Sequence, residues 1–205
     1  MLLSEEDHAA TLERYHVWLD DRCDEVYRIA DEARKRGYDL STEVEIPRAA
    51  DLAGRTEKLL AEHLDGIEVA TEIRELLQSM DRESCSVAAA RGVARRASEE
   101  GREDVDAIEL GLRVGLAILT EAVLVAPLEG ICDVRILRNP SGSNFLSVHY
   151  AGPIRAAGGT AQAMSVLIAD VLRQEMGLDR YLPTEREIER CKEEFGLYRG
   201  NLQYR

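Results

Sequence analysis

Residues 145–177, FLSVHYAGPIRAAGGTAQAMSVLIADVLRQEMG, constrain the fold of this chain more than any other stretch. Leu146, Val148 and Tyr150 alternate with Phe145, Ser147 and His149, the period of two that a pleated strand imposes. Gly152-Pro153 breaks that alternation, and Ala157-Gly158-Gly159 supplies backbone freedom for a sharp turn. Thr160 then stands where its hydroxyl would accept a bond from an unpaired amide one turn into a helix. From Ala161 to Leu172 that helix is apolar on most sides, with Gln162, Ser165, Asp170 and Arg173 as a narrow polar stripe. A helix so apolar is expected to be the one the domain packs around.

With 205 residues, 45% of them hydrophobic and 32% charged, the chain has the make-up of a folded globular protein. Its formal net charge of -13 argues against a surface that is a nucleic-acid footprint throughout. The charge is uneven, however. Between Ile131 and Leu182, Arg135, Arg138, Arg155, Arg173 and Arg180 stand against Asp133, Asp170, Glu175 and Asp179, a net of +1 that leaves -14 for the remainder. Any face that meets phosphate is therefore expected around the central stretch. Cys23, Cys85, Cys132 and Cys191 lack CxxC spacing and nearby histidine pairs, so they read as reduced, mostly buried thiols of a cytoplasmic protein. Ser4-Glu5-Glu6-Asp7 has the wrong charge for a secretion signal, and the most apolar run, 114–126, is a core helix too short for the ~20 residues of a membrane span.

Taken in order, residues 4–36 read as one long amphipathic helix with Leu12, Tyr15, Leu19, Val26, Ala30 and Ala33 on a stripe and Gly37 as its stop. That stripe must dock on the rest of the chain, on another copy or on a different subunit. Residues 38–50 form a connector with a short extended piece at 44–46. Helices then open at Asp51, after Asp65-Gly66 and at Asp81, the last of these carrying Arg91, Arg95 and Arg96 as a solvated face balanced by Glu99 and Glu100. Another runs from Glu103-Asp104 to Pro127, where Gly111 and Gly115 permit a close helix approach. Asp104 and Asp106 read as a helix start rather than a metal dyad. In 131–138, Cys132, Val134 and Ile136 alternate with Asp133, Arg135 and Leu137, and Asn139-Pro140-Ser141-Gly142 suits a type I turn, so 131–150 is a β-hairpin. Thr184-x-x-Glu187 is a capping box for a last helix through Ile188, Cys191, Phe195 and Tyr198. No closing signal follows, which reads as part of a longer chain. The expected fold is α+β and predominantly helical: 1–48 a long helix and connector, then 49–205 a helical domain with hairpin 131–150 and a buried central helix 160–176.

Chemistry is sparse. Arg155, Gly158, Gly159 and Thr160 form the candidate site, since exposed amides at a helix start attract an anion and a guanidinium adds a bidentate partner. Two readings stand for the turn 152–160: an anion site, of DNA phosphate or of a phosphate- or nucleotide-binding enzyme, or simply a tight strand-to-helix connection. It matches neither GxxxxGK[ST] nor GxGxxG. His149 beside Ser147 reads as a hydrogen-bonded structural histidine. No nucleophile–base pair or carboxylate cluster has convincing spacing, so no catalytic residue, metal ligand or cofactor is assigned. A helical protein-interaction module is a further alternative.

VEIPRAADLAGRTEKLL (44–60), APLEGI (126–131), HYAGPIRAAGGTAQAMSVLIADVLRQEMGLDRYLPTEREIER (149–190) and the tail to Tyr198 resemble the N-terminal region of the large subunit of archaeal family D DNA polymerase. YAGPIRAAGGTAQA is the most specific of these, and the similarity runs through nearly the whole chain. The resemblance implies a noncatalytic region of a DNA polymerase that replicates DNA. The family's double-psi β-barrel centre, with its Asn-Ala-Asp-Phe-Asp-Gly-Asp type motif, lies far downstream and has no match here, and its zinc modules also lie later. Implied partners are a small subunit carrying the 3′–5′ exonuclease, a DNA primer-template and a sliding clamp, with divalent magnesium serving the whole polymerase. Self-association is a further expectation.

Overall fold

A helix that is apolar on every side needs neighbours on every side, and in this chain that helix is Asp104–Leu119. Eleven of its residues, from Ala107 to Ile118, are buried. Leu110, Val114, Ala117 and Ile118 face one hydrophobic cluster, while Ile108, Leu112 and Leu116 face a second. The computed structural model describes residues 5–38, 49–121 and 123–201, and the chain divides into two units, Met1–Glu45 and Ile46–Arg205.

The first unit is α1 (Glu5–Lys35). Gly37, at φ +75, ends it, with the Gly37 amide donating to Arg34 O and the Tyr38 amide to Ala33 O. Leu12, Tyr15, Trp18, Leu19, Val26 and Ile29 are exposed along it. The extended piece expected at 44–46 lies outside the described residues.

In the second unit the first cluster gathers α2 (Leu52–Leu59), α3 (Ala61–Leu64), α4 (Ala70–Ser79) and α5 (Arg82–Glu99) against α6 (Asp104–Leu119). Asp51 and Asp81 cap α2 and α5 through the Gly54 and Ser84 amides, each at 2.7 Å. Glu57 reaches from α2 to accept both Val69 and Ala70 amides at 2.8 Å, satisfying the start of α4. The second cluster sets α5 and α6 against the hairpin β1 (Ile131–Arg138) and β2 (Asn144–Tyr150), α8 (Pro153–Ala156) and α9 (Gly159–Glu175), while α7 (Val125–Glu129) lies against α6, α8 and β1 with Leu128 on the first cluster. The fold is α+β and predominantly helical, with one two-stranded antiparallel sheet among the described residues. A last helix, α10 (Glu185–Asn201), follows.

Several expectations need correction. The core helix stops at Leu119, well before Pro127. Thr120 Oγ1 donates back to Leu116 O at 2.6 Å, and Arg55 collects the carbonyls of Ala117, Thr120 and Val123, so the helix end is closed by side chains. Pro127 sits in the first turn of α7, where its missing amide costs nothing. In β1 the register slips between Ile131 and Asp133, which puts Ile131, Val134 and Ile136 inward and leaves Cys132 exposed. Only Cys85 of the four cysteines is buried; Cys132 and Cys191 are exposed. Arg91 and Arg96 find partners on other helices, Glu175 of α9 and Glu72 of α4, both at 2.7 Å.

His63 offers a pH test. Burial lowers its pKa, Arg113 adds to the effect, and Nδ1 is buried without a hydrogen-bond partner. Its proton is bound more readily in the unfolded chain, so its contribution to stability is intact above about 6.5 and lost as pH falls through the lower folded value. Denaturant midpoints measured at pH 7.5 and 5 should therefore fall on acidification, and His63→Asn should flatten that slope. An unchanged slope in the variant would remove His63 as the cause.

Candidate functional site

The candidate turn begins where β2 ends. The Ala151 amide donates to Gly130 O, Pro153 starts the single-turn helix α8, and Ile154 is buried in the second cluster, anchoring the turn. The chain then passes through Ala157 to Gly158, whose φ of +92 and ψ of 162 belong to a region open in practice only to glycine. Gly158, not Thr160, caps α9. Thr160 lies one residue inside the helix, and no side chain caps this end. The reason is local: the positive φ at Gly158 already turns the backbone into helix two residues early.

Gly159 is different. A Cβ built there or at Gly158 meets nothing within 4 Å, so neither glycine is demanded by close packing against the hairpin. Gly158 is required by its backbone angle; Gly159 simply leaves the helix start bare. Gly158, Gly159 and Thr160 are all exposed. The amides of Gly159, Thr160 and Ala161 have no backbone acceptor, as expected for the first turn of a helix. Behind them, Arg155 O accepts from the Gly158 amide and from Gln162 Nε2, each at 3.3 Å, so Gln162 braces the turn. The Arg155 guanidinium is exposed and makes no hydrogen bond or ion pair with the described residues.

The neighbouring arginines are mostly occupied. Arg135 pairs with Asp133, Arg138 Nε donates to Gly142 O at 3.0 Å, and Arg173 holds Asp170 and Leu178 O. Arg155 and Arg180 are the exposed guanidiniums of this region without a hydrogen bond in the described structure. His149 Nε2 lies 3.2 Å from Ser147 Oγ on the exposed side of β2, with no carboxylate partner. Among the described residues no three His, Cys, Asp or Glu side chains gather as metal ligands do. No described helix is long and apolar enough to cross a membrane.

The helix that carries this turn is not the buried keystone that its composition predicts. Ile168 and Leu172 are buried, yet Val166 is 60% and Leu167 50% exposed. Ser165, expected on the polar stripe, is 1% exposed and donates to Gln162 O at 2.7 Å. One element near the site was not legible at all. Asn139, 3% exposed, accepts from the Leu182 amide at 2.9 Å and donates to Arg180 O at 2.8 Å, tying the hairpin turn to the segment before α10. An Asn-Pro dipeptide signals only the turn itself.

Fold and turn together define a helical module with a small hairpin and an exposed helix start that no side chain caps. Its family is narrower than that description. The model for "DNA polymerase II large subunit DP2, N-terminal" matches residues 14–205, and the chain belongs to that family. DNA polymerase II large subunits of Thermoplasma acidophilum and Picrophilus torridus are 49% and 50% identical to it over 195 and 192 residues, which is 94% and 93% of this chain. That of Pyrococcus furiosus is 43% identical over 198 residues, 94% of this chain. The chain spans 17% of the length of the first two relatives and 15% of the third.

Proposed function

We infer that these residues are the N-terminal, noncatalytic region of the large, polymerising subunit of a two-subunit archaeal replicative DNA polymerase. In that reading the partner subunit carries the 3′–5′ exonuclease and the whole protein extends a DNA primer. The match of residues 14–205 to the N-terminal region of the large subunit carries the inference. The module's work is then to scaffold the subunit and to touch DNA backbone at the α8–α9 turn. Arg155 supports the second role, because an exposed guanidinium precedes, in the same turn, amides that lack backbone acceptors. The net charge of -13 confines such contact to this small face and keeps the isolated chain a weak DNA binder.

Arg155→Ala in a family-length polymerase should lower DNA affinity at low salt and reduce the slope of log K against log[salt] by about 1. Extension at saturating DNA should be unchanged. An affinity and slope equal to those of the unaltered enzyme would end the DNA-contact role.

A further inference from the structure

Helix α10 has a well-formed start, yet every described side chain from Tyr181 to Leu197 is exposed. Its start is a complete capping box. The Thr184 amide and hydroxyl both donate to Glu187 Oε2, at 2.7 and 2.8 Å, and the Glu187 amide donates to Thr184 Oγ1 at 3.3 Å. Tyr181 donates to the other carboxylate oxygen at 2.5 Å. Asn139 fastens the preceding residues to the hairpin, as described above. The base is thus fixed while the helix has no packed side.

Ile188, Cys191 and Phe195 recur at i, i+3 and i+7, and with Tyr181 and Pro183 they line an open trough of about 750 Å³. Phe195 is 72% exposed. A helix of this length without tertiary packing is marginal in water, so the apolar row has a cover in the working protein.

We propose that this trough is an interdomain seam, covered by the polymerase body of a family-length large subunit through a row of aliphatic side chains. The proposal rests on the function inferred above. Relatives of which this chain spans 15 to 17% supply the additional chain. The charges on the rim are already matched within the helix, Arg190 with Glu194 at 3.0 Å and Lys192 with Glu189 at 2.5 Å. A partner therefore needs no net charge at its flanks. Nucleic acid is a poor occupant, because Glu185, Glu187, Glu189, Glu193 and Glu194 outnumber Arg186, Arg190, Lys192 and Arg199.

Cys191 lies in the row and reports its cover directly. Thiol alkylation, read by mass spectrometry on the peptide that carries Cys191, is to be compared between the 205-residue chain and a family-length chain with this N-terminal region. The rate should fall about ten-fold or more in the longer chain, as burial of a free thiol requires. Phe195→Glu should restore it there. Equal rates in the two chains overturn the proposal. So does protection of the short chain that rises with its own concentration, which would make the occupant a second copy. Alkylation reads neither DNA affinity nor extension: a long chain that polymerises with Cys191 open sinks the seam alone, and one that cannot polymerise sinks the inferred function.

Discussion

Replacing Arg113 with methionine should destabilise the second unit by about 3–5 kcal/mol, the range for removing one partner of a buried ion pair. Arg113 is 7% exposed on the central helix α6. Its guanidinium donates twice to Glu109 Oε1, at 2.9 and 2.5 Å, and through Nη1 to Pro127 O and Leu128 O at 2.9 and 2.5 Å. A further bond from Nη2 reaches Ile131 O at 3.3 Å, where β1 begins. One side chain thus closes α7, starts the hairpin and neutralises a carboxylate. Methionine keeps much of the volume and leaves all those acceptors unpaired. For a domain of this size the loss corresponds to a melting temperature lower by roughly 10 °C. Lysine should not rescue, since a single ammonium lacks the planar fork that serves several acceptors at once. Adding Glu109→Met to Arg113→Met should cost less than the two changes summed, because the orphaned carboxylate leaves with it. Arg91→Ala, which breaks the pair between the mostly exposed Arg91 and Glu175, should cost no more than about 1 kcal/mol. If Arg113→Met melts like Arg91→Ala, the bridging role assigned to Arg113 fails.

Arg113 also shows why the sequence misplaces the centre of the fold. Three acids and an arginine stand between positions 104 and 113 of α6. Yet Asp104 and Asp106 sit in its first turn, and Arg113 turns its charge onto backbone carbonyls, so the helix can be walled in on both sides. Helix α9 misleads in the opposite sense. Its excess of Val166 and Leu167 reads as core, but only the face with Ile168 and Leu172 meets α5 and α6. Periodicity reports how many apolar residues a helix carries, not whether a neighbour exists for each. The strand and hairpin signals were sound because the turn chemistry is local: the Gly142 amide returns to Asn139 O, and Gly142 takes φ +93. A bulge needs the partner strand to define it, so the exposure of Cys132 was not readable from alternation alone. At the candidate turn, residue types were enough to locate the amides and Arg155. The cap was misassigned by two residues, because hydroxyl chemistry points to Thr160 whereas the backbone angle at Gly158 decides.

Where the sequence was most exact, the expected effect of a mutation is also large. Gly111→Ala should destabilise the second unit by about 2 kcal/mol net, although alanine is by itself worth about 1 kcal/mol in a helix interior over glycine. A Cβ on Gly111 falls 2.7 Å from Ala90 O, 3.0 Å from Ala94 Cβ and 3.1 Å from Leu172 Cδ1. The first obstacle is backbone of α5, so relief means moving one helix off another and loosening α9 as well. Gly115 lies one turn on in the same seam, but the nearest atom to its Cβ is Ile168 Cδ1 at 2.8 Å, followed by Ser86 O at 3.2 Å. The end of an isoleucine yields more readily than a carbonyl. Gly115→Ala should therefore stay within about 1 kcal/mol of the unaltered chain, its propensity gain offsetting most of the crowding. Second-site changes separate the two cases. Ile168→Val should relieve Gly115→Ala, so that the pair costs less than the sum of its members. Ala94→Gly should recover little of Gly111→Ala, because the obstructing Ala90 carbonyl remains. Chemical denaturation of the four variants and two pairs decides it. Equal costs at 111 and 115, or full rescue of Gly111→Ala by Ala94→Gly, would show that side chains rather than the α5 backbone set the approach of these helices.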